Sequence, residues 1–163
     1  MSAQKLSDRE SKVSRLWQQN QEILHSAYFY VVIIGCMTLF LTLLDQTFTI
    51  HRLSPDAEIP LSALRSPFFA ITRTQDELSL VLPGSVEIES EKSETGWACF
   101  KLEGPLEFDL IGVMAGITGT LAEAEVSVFV LSTFDTDYIL VKREQAQAAH
   151  EALVAAGYNI KDS

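Results

Sequence analysis

The stretch VFVLSTFDTDYILVK, Val128 to Lys142, decides the fold. Val126–Ser132 and Tyr138–Lys142 are rich in β-branched and aromatic residues and flank a tight turn, Thr133–Asp137, so they read as a β-hairpin. Upstream, Leu110, Val113, Met114, Ile117 and Leu121 recur at helical spacing, which predicts a helix from about Leu110 to Ala124 with Asp109 as its cap. Before it, Trp97–Glu103 (WACFKLE) reads as a strand that ends in the Gly104-Pro105 turn. Downstream, Arg143–Ala156 carries Ala146, Ala149, Leu153 and Ala156 on one helical face, and Gly157 closes that helix. Tyr158–Ile160 adds a last short strand. The order is β-α-β-β-α-β, an α+β arrangement.

The preceding text repeats this plan in shorter form. Thr47–Leu53 reads as a strand, Ile59–Leu64 as a short helix, and Phe68–Thr72 and Leu78–Leu82 as two strands around the polar turn Arg73–Glu77. At an offset of sixty, Ile71, Thr72, Leu80 and Val81 fall on Leu131, Ser132, Leu140 and Val141, Gln75 on Asp135 and Glu77 on Asp137. Hairpin falls on hairpin, so the chain reads as a tandem of two related units. The expected organisation is an extension over residues 1–36, a first, abbreviated unit over 37–83, an acidic connector over 84–96, and a second unit over 97–163. The connector, with Glu87, Glu89, Glu91 and Glu94, reads as a solvated loop or short exposed helix.

Charge is distributed unevenly. The formal net charge is -10, and residues 1–45 cancel within themselves, so the acidic excess lies downstream. Phosphate backbones and anionic headgroups repel such a surface, which speaks against nucleic acid and lipid-surface partners. Two cysteines, Cys36 and Cys99, make no disulfide or metal framework, and a reducing compartment is the simpler setting. Residues 1–25 are polar and allow a helix after the Ser7/Glu10 capping box. Ala27–Leu44 is an uncharged apolar run of eighteen, at the lower limit for a membrane span. Three readings stay open for it: a single-pass anchor with its N-terminus in the cytosol, a strand at Thr38–Leu44 entering the domain, or a true start at Met37 that makes 1–36 an extension.

The segments FFAITRTQDELSLV (Phe68–Val81), WACFKLEGPLEFDLIGV (Trp97–Val113) and VFVLSTFDTDYILVK (Val128–Lys142) resemble the ACT-domain proteins related to the cytosolic arginine sensors of the TOR pathway. The resemblance runs from about Thr38 to Ile160 and leaves 1–36 without a counterpart. It implies tandem ferredoxin-like (βαββαβ) ACT units and a cytoplasmic, regulatory, non-catalytic protein. It also implies homodimers built through those units, no cofactor, and a ligand, most often an amino acid, held where the helix start of one unit meets a neighbouring unit.

Physical chemistry names candidate residues for that ligand. A helix start offers free N–H groups and partial positive charge to a carboxylate, which points to Asp109, Leu110, Ile111, Gly112 and Val113, with Gly112 allowing close approach. An ammonium group needs an anionic or carbonyl partner, and Asp135 and Asp137 offer one from a tight turn, with Ser132 and Thr133 as hydroxyl partners and Phe134 as an apolar wall. Simpler roles compete: Asp109 as a plain helix cap, Asp135 and Asp137 as turn formers, Phe134 as core or interface. The first unit lacks a glycine-led helix start. At the offset of sixty, Arg73 and Gln75 replace Thr133 and Asp135, so no matching ligand site is expected there. Enzyme readings find little support. His25, His51 and His150 are scattered and no metal spacing joins them. Cys99 sits inside a strand, where a small core residue is expected rather than a nucleophile.

Overall fold

The computed structural model describes residues 39–106 and 110–162. The N-terminal capping-box helix and most of the apolar run therefore lie outside the described residues. The elements are β1 (Phe40–Leu43), β2 (Phe48–Leu53), α1 (Leu61–Leu64), β3 (Ala70–Arg73), β4 (Leu78–Pro83), β5 (Lys92–Leu102), α2 (Val113–Glu123), β6 (Val128–Ser132), β7 (Asp137–Lys142), a 3-10 turn (Arg143–Gln145), α3 (Ala146–Ala155) and β8 (Asn159–Asp162). The expected βαββ and βαββαβ runs are both present, and the class is α+β.

The eight strands among the described residues belong to one sheet, in the order β3-β4-β2-β5-β1-β8, with β7 and then β6 on the other edge of β5. The eleven-residue β5 joins the two halves. Its first part pairs with β2 (Arg52↔Lys92, Phe48↔Trp97). Its last part pairs on one side with β1 (Leu41↔Leu102, Leu43↔Phe100) and on the other with β7 (Trp97↔Lys142, Lys101↔Tyr138). One strand thus closes the first half and opens the second.

Two sequence expectations change here. The connector is not wholly loop or helix: residues 92–96 are the beginning of β5. All but Gly96 are exposed, so no apolar alternation marks them. They are held through the β2 backbone and by ion pairs, Lys142 Nζ to Glu94 Oε2 at 2.8 Å and Arg52 Nη1 to neighbouring Glu91 Oε2 at 3.2 Å. The apolar run 27–44 does not end as a membrane helix, since Phe40–Leu43 form β1. That strand lies between β5 and β8, parallel to β8 (Leu41↔Ile160), and Leu41 is fully buried. No helix among the described residues is long and apolar enough to cross a membrane.

Side chains alternate between the two faces of the sheet. On one face, Phe48, Val81, Trp97, Cys99 and Leu140 form a buried cluster to which no residue of a described helix contributes. Phe68 closes it, standing edge-on to Phe48 at 4.9 Å and to Tyr138 at 5.2 Å. On the other face of the first half, Leu53, Leu78, Leu80 and Leu82 pack with Ala63 of α1 and with Ile59, Val86 and Ile88. Val86 and Ile88, in the segment after β4, thus cover part of this face. On the same face His51 is buried. Its Nδ1 lies 3.1 Å from Ser90 Oγ, and its buried Nε2 has no partner among the described residues. Burial holds its pKa below the usual histidine value.

Candidate functional site

The β6–β7 turn is built by threonine chemistry. Ser132 pairs with Asp137 at the end of the ladder. Between them the Thr133 N–H donates to the Thr136 carbonyl at 2.8 Å, and the Thr133 hydroxyl donates to the same carbonyl at 2.9 Å. That hydroxyl also accepts from the Thr136 N–H at 3.3 Å. A side chain that copies backbone hydrogen bonds is what a short polar turn selects.

The turn is then tied to the loop after β5. The buried Thr136 hydroxyl donates to the Leu102 carbonyl, and the Leu106 N–H donates to the Asp135 carbonyl at 2.9 Å. Gly104 is required at this contact, because a Cβ there would run into the Asp135 carbonyl oxygen. The structure therefore brings Ser132, Thr133, Phe134, Asp135 and Asp137 together on one turn, seated on Leu102–Leu106. The Asp135 side chain is exposed, Asp137 is half-buried, and Phe134 is 78% exposed, so the apolar wall is presented outward and is not core.

The second candidate group differs from expectation. Its helix begins at Val113, not at Leu110. Gly112 has φ 86°, a left-handed conformation that no residue inside a right-handed helix adopts, and its carbonyl accepts the N–H of Gly116 at 2.9 Å. Gly112 therefore takes the capping place that the sequence assigned to Asp109, whose own position lies outside the described residues. Leu110 and Gly112 are half-buried, Ile111 is 68% exposed and Val113 is buried.

The hairpins also correct the repeat. Arg73↔Leu78 closes the first ladder and Ser132↔Asp137 the second, which sets the offset at fifty-nine, not sixty. Thr74 then corresponds to Thr133, and Asp76 to Asp135. The equivalence is visible in the bonds: the Thr74 N–H donates to the Glu77 carbonyl at 2.9 Å, and its hydroxyl accepts from the Glu77 N–H at 3.2 Å. The Thr-x-Asp turn occurs in both halves, and sequence reasoning missed it. Asp137 has Leu78 as its counterpart, and Ser132 has Arg73.

Cys99 is fully buried and its thiol is pushed up to about 12 by burial, so it supplies no thiolate at neutral pH. Among the described residues, no three His, Cys, Asp or Glu side chains group as a metal site.

Comparison with known proteins places this geometry. The ACT domain family matches residues 92–155, and a second family, described as an N-terminal domain, matches residues 46–84. The cytosolic arginine sensor for mTORC1 subunit 1 of Pongo abelii is 32% identical over 127 residues, which cover 69% of this chain and 37% of the sensor. The chain thus spans little more than a third of the curated relatives it matches. A protein of Agrobacterium tumefaciens superposes with a TM-score of 0.72 at 33% identity, over 78% of this chain and 96% of that one. The aspartate kinase of Clostridium acetobutylicum shares the fold alone, with a TM-score of 0.53 at 15% identity over 69% of this chain and 33% of the kinase. The match that begins at Lys92 coincides with the start of β5, and the chain is an ACT-domain protein related to the cytosolic arginine sensors.

Proposed function

We propose that this chain is a cytoplasmic regulatory module that binds a small ligand, an amino acid, and performs no chemistry itself. The observation that carries the proposal is the Thr133–Asp137 turn. It is rigidly seated by the Thr136–Leu102 and Leu106–Asp135 bonds, yet it presents Asp135 and Phe134 to solvent. A fixed backbone with outward acidic and aromatic groups is pre-organised for a cationic ligand, because little ordering remains to be done on binding. Ser132 and Asp137 flank it. The helix start at Gly112 is the second proposed element, because the positive end of a helix suits a carboxylate. The relatives' role as arginine sensors supports the choice of an amino acid. A second copy of the chain is the proposed neighbour that completes the ligand's surroundings, and binding would shift that association. The division at residues 83 and 97 into two units belongs to the same proposal.

The test is a thermal-shift screen of the chain against the twenty amino acids. Ligand at a hundredfold its dissociation constant adds about 2.7 kcal/mol, which moves a chain of this size by several degrees. One clear responder, lost in Asp135→Ala and Asp137→Ala with folding intact, supports the proposal. A flat panel with a well-folded protein refutes it.

A second reading has its own observation. The sheet face to which no described helix contributes carries the buried Trp97 and the half-buried Phe129, Leu131 and Tyr138, with Lys142 Nζ at 4.3 Å over the Trp97 ring. Packing a partner chain on this face would complete the burial of its half-covered apolar side chains. A flat ligand panel together with concentration-dependent dimerisation would favour this interaction module.

A further inference from the structure

We propose that Arg73 is a built-in occupant: its guanidinium closes, in the first half, the hairpin–loop junction that no described residue closes beside Ser132 in the second half. The proposal rests on the sensing role only where it concerns the second junction.

The equivalence of the junctions follows from register alone. Arg73 and Ser132 are each the last paired residue of their strand, opposite Leu78 and Asp137. The neighbouring strands match too, because Arg52 pairs with Ser79 as Lys101 pairs with Tyr138. One residue further on, β2 ends at Leu53 and β5 at Leu102, and both chains turn into a loop. Pro55 and Ala57 in the first loop therefore correspond to Gly104 and Leu106 in the second.

At the first junction Arg73 spans the gap. Its Nη1 donates to the Pro55 carbonyl at 2.6 Å and its Nη2 to the Ala57 carbonyl at 2.7 Å. Two parallel donors on two carbonyls are the fork geometry that distinguishes a guanidinium from an ammonium. At the second junction the corresponding side chain is the short, exposed Ser132, which has no such reach. The loop there is anchored differently, by the Leu106 N–H on the Asp135 carbonyl. Among the described residues, no donor stands on the carbonyls of Gly104 and Leu106. The two halves thus solve one problem in two ways. The first half holds its loop with the exposed Arg73 side chain. The second holds its loop through the turn backbone, and no described residue bridges the two carbonyls.

The test uses the full chain and three variants. Arg73→Ser copies the second junction into the first, and a lowered melting temperature is expected. Methylguanidinium at millimolar concentration, measured against equal sodium chloride, should recover part of that loss in Arg73→Ser and do little to the parent. Equal responses of the two proteins overturn the proposal. Should Arg73→Ser fail to fold, Arg73→Lys, which keeps the charge but not the fork, carries the same comparison. Ser132→Arg is the reverse graft. It should fold with an unchanged or raised melting temperature and lose whatever amino-acid response the parent shows, whereas a retained response overturns the equivalence of the junctions. If the parent responds to no amino acid, the sensing role fails, and the methylguanidinium comparison still decides the role of Arg73.

Discussion

Thr136→Val tests whether one buried hydroxyl holds the candidate turn in place. Thr136 is 8% exposed, and its hydroxyl donates to the carbonyl of Leu102, itself fully buried. Valine keeps the shape and removes the donor. The Leu102 carbonyl then loses a partner where water does not replace it, which costs about 1–3 kcal/mol. For a chain of this length each kcal/mol moves the melting temperature by about 2–4 °C. The expected loss is therefore about 2–12 °C, read by thermal or urea denaturation. A second readout separates packing from positioning. The Asp135 carbonyl receives Leu106 from the same loop, so a loosened turn should also weaken any ligand response beyond what the stability loss explains. Thr133→Val is the control: Thr133 is exposed, water can replace its bonds, and the cost should stay below about 1 kcal/mol. If Thr136→Val lies within about 0.5 kcal/mol of the parent, the range of an ordinary surface change, the clamp on Leu102 is not what seats the turn.

Three further outcomes can be measured directly. Gly104→Ala places a methyl against the Asp135 carbonyl, and the forced shift should cost about 1–3 kcal/mol and lower ligand response with it. Glu125 has φ 58° at the end of α2, where its N–H reaches the Ala122 carbonyl and the next N–H reaches Leu121, so Glu125→Gly should stabilise by about 0.5–1 kcal/mol in denaturant titration. His51 has its pKa lowered by burial, so below about pH 6.5 the unfolded chain takes up a proton that the folded chain does not, and stability should fall as pH drops through that range. His51→Phe, which copies the equivalent Phe100, should flatten that part of the pH profile; an unchanged slope would show that His51 is not its source.

Much of the second half is legible in the sequence because its elements carry clear periods. Ile117 and Leu121 face inward from one helix and Ala149 and Leu153 from another, as their spacing predicts. The one-residue error in the repeat has a physical cause. Leu80, Val81 and Leu82 are all buried, and so are Ile139, Leu140 and Val141. A strand covered on both faces reads as a continuous apolar run, and slipping it by one residue creates no mismatch. Only the turn fixes the register, through the shared Thr-x-Asp. The helix start was misplaced because Asp109 has the chemistry of a cap, while the deciding fact, the left-handed backbone at Gly112, is not a matter of residue type alone. The start of β5 was missed because its residues are selected by backbone pairing and ion pairs, which leave no period.

The position of β1 bears on how the site is held. β8 follows α3, and the simplest βαββαβ sheet would place it directly against the first strand of its unit. Here β1 stands between them, antiparallel to β5 and parallel to β8, with the Asn159 N–H also donating to the Leu39 carbonyl at 3.2 Å. The same β5 carries Leu102, the anchor of the Thr133–Asp137 turn, on its last residue. The strand that binds the turn is thus paired on one side by a segment from the far N-terminal end of the described chain and, a few residues earlier, by β2 of the first half. Removing the first half would therefore strip β5 of both partners on that edge and leave its backbone groups unpaired in the middle of the sheet. Residues 97–163 expressed alone should then lose the protected amide hydrogens of Phe100–Leu102 as well as those of β8. If that fragment instead folds cooperatively with those amides protected, the interlock through β1 is dispensable, and the second half is an autonomous unit.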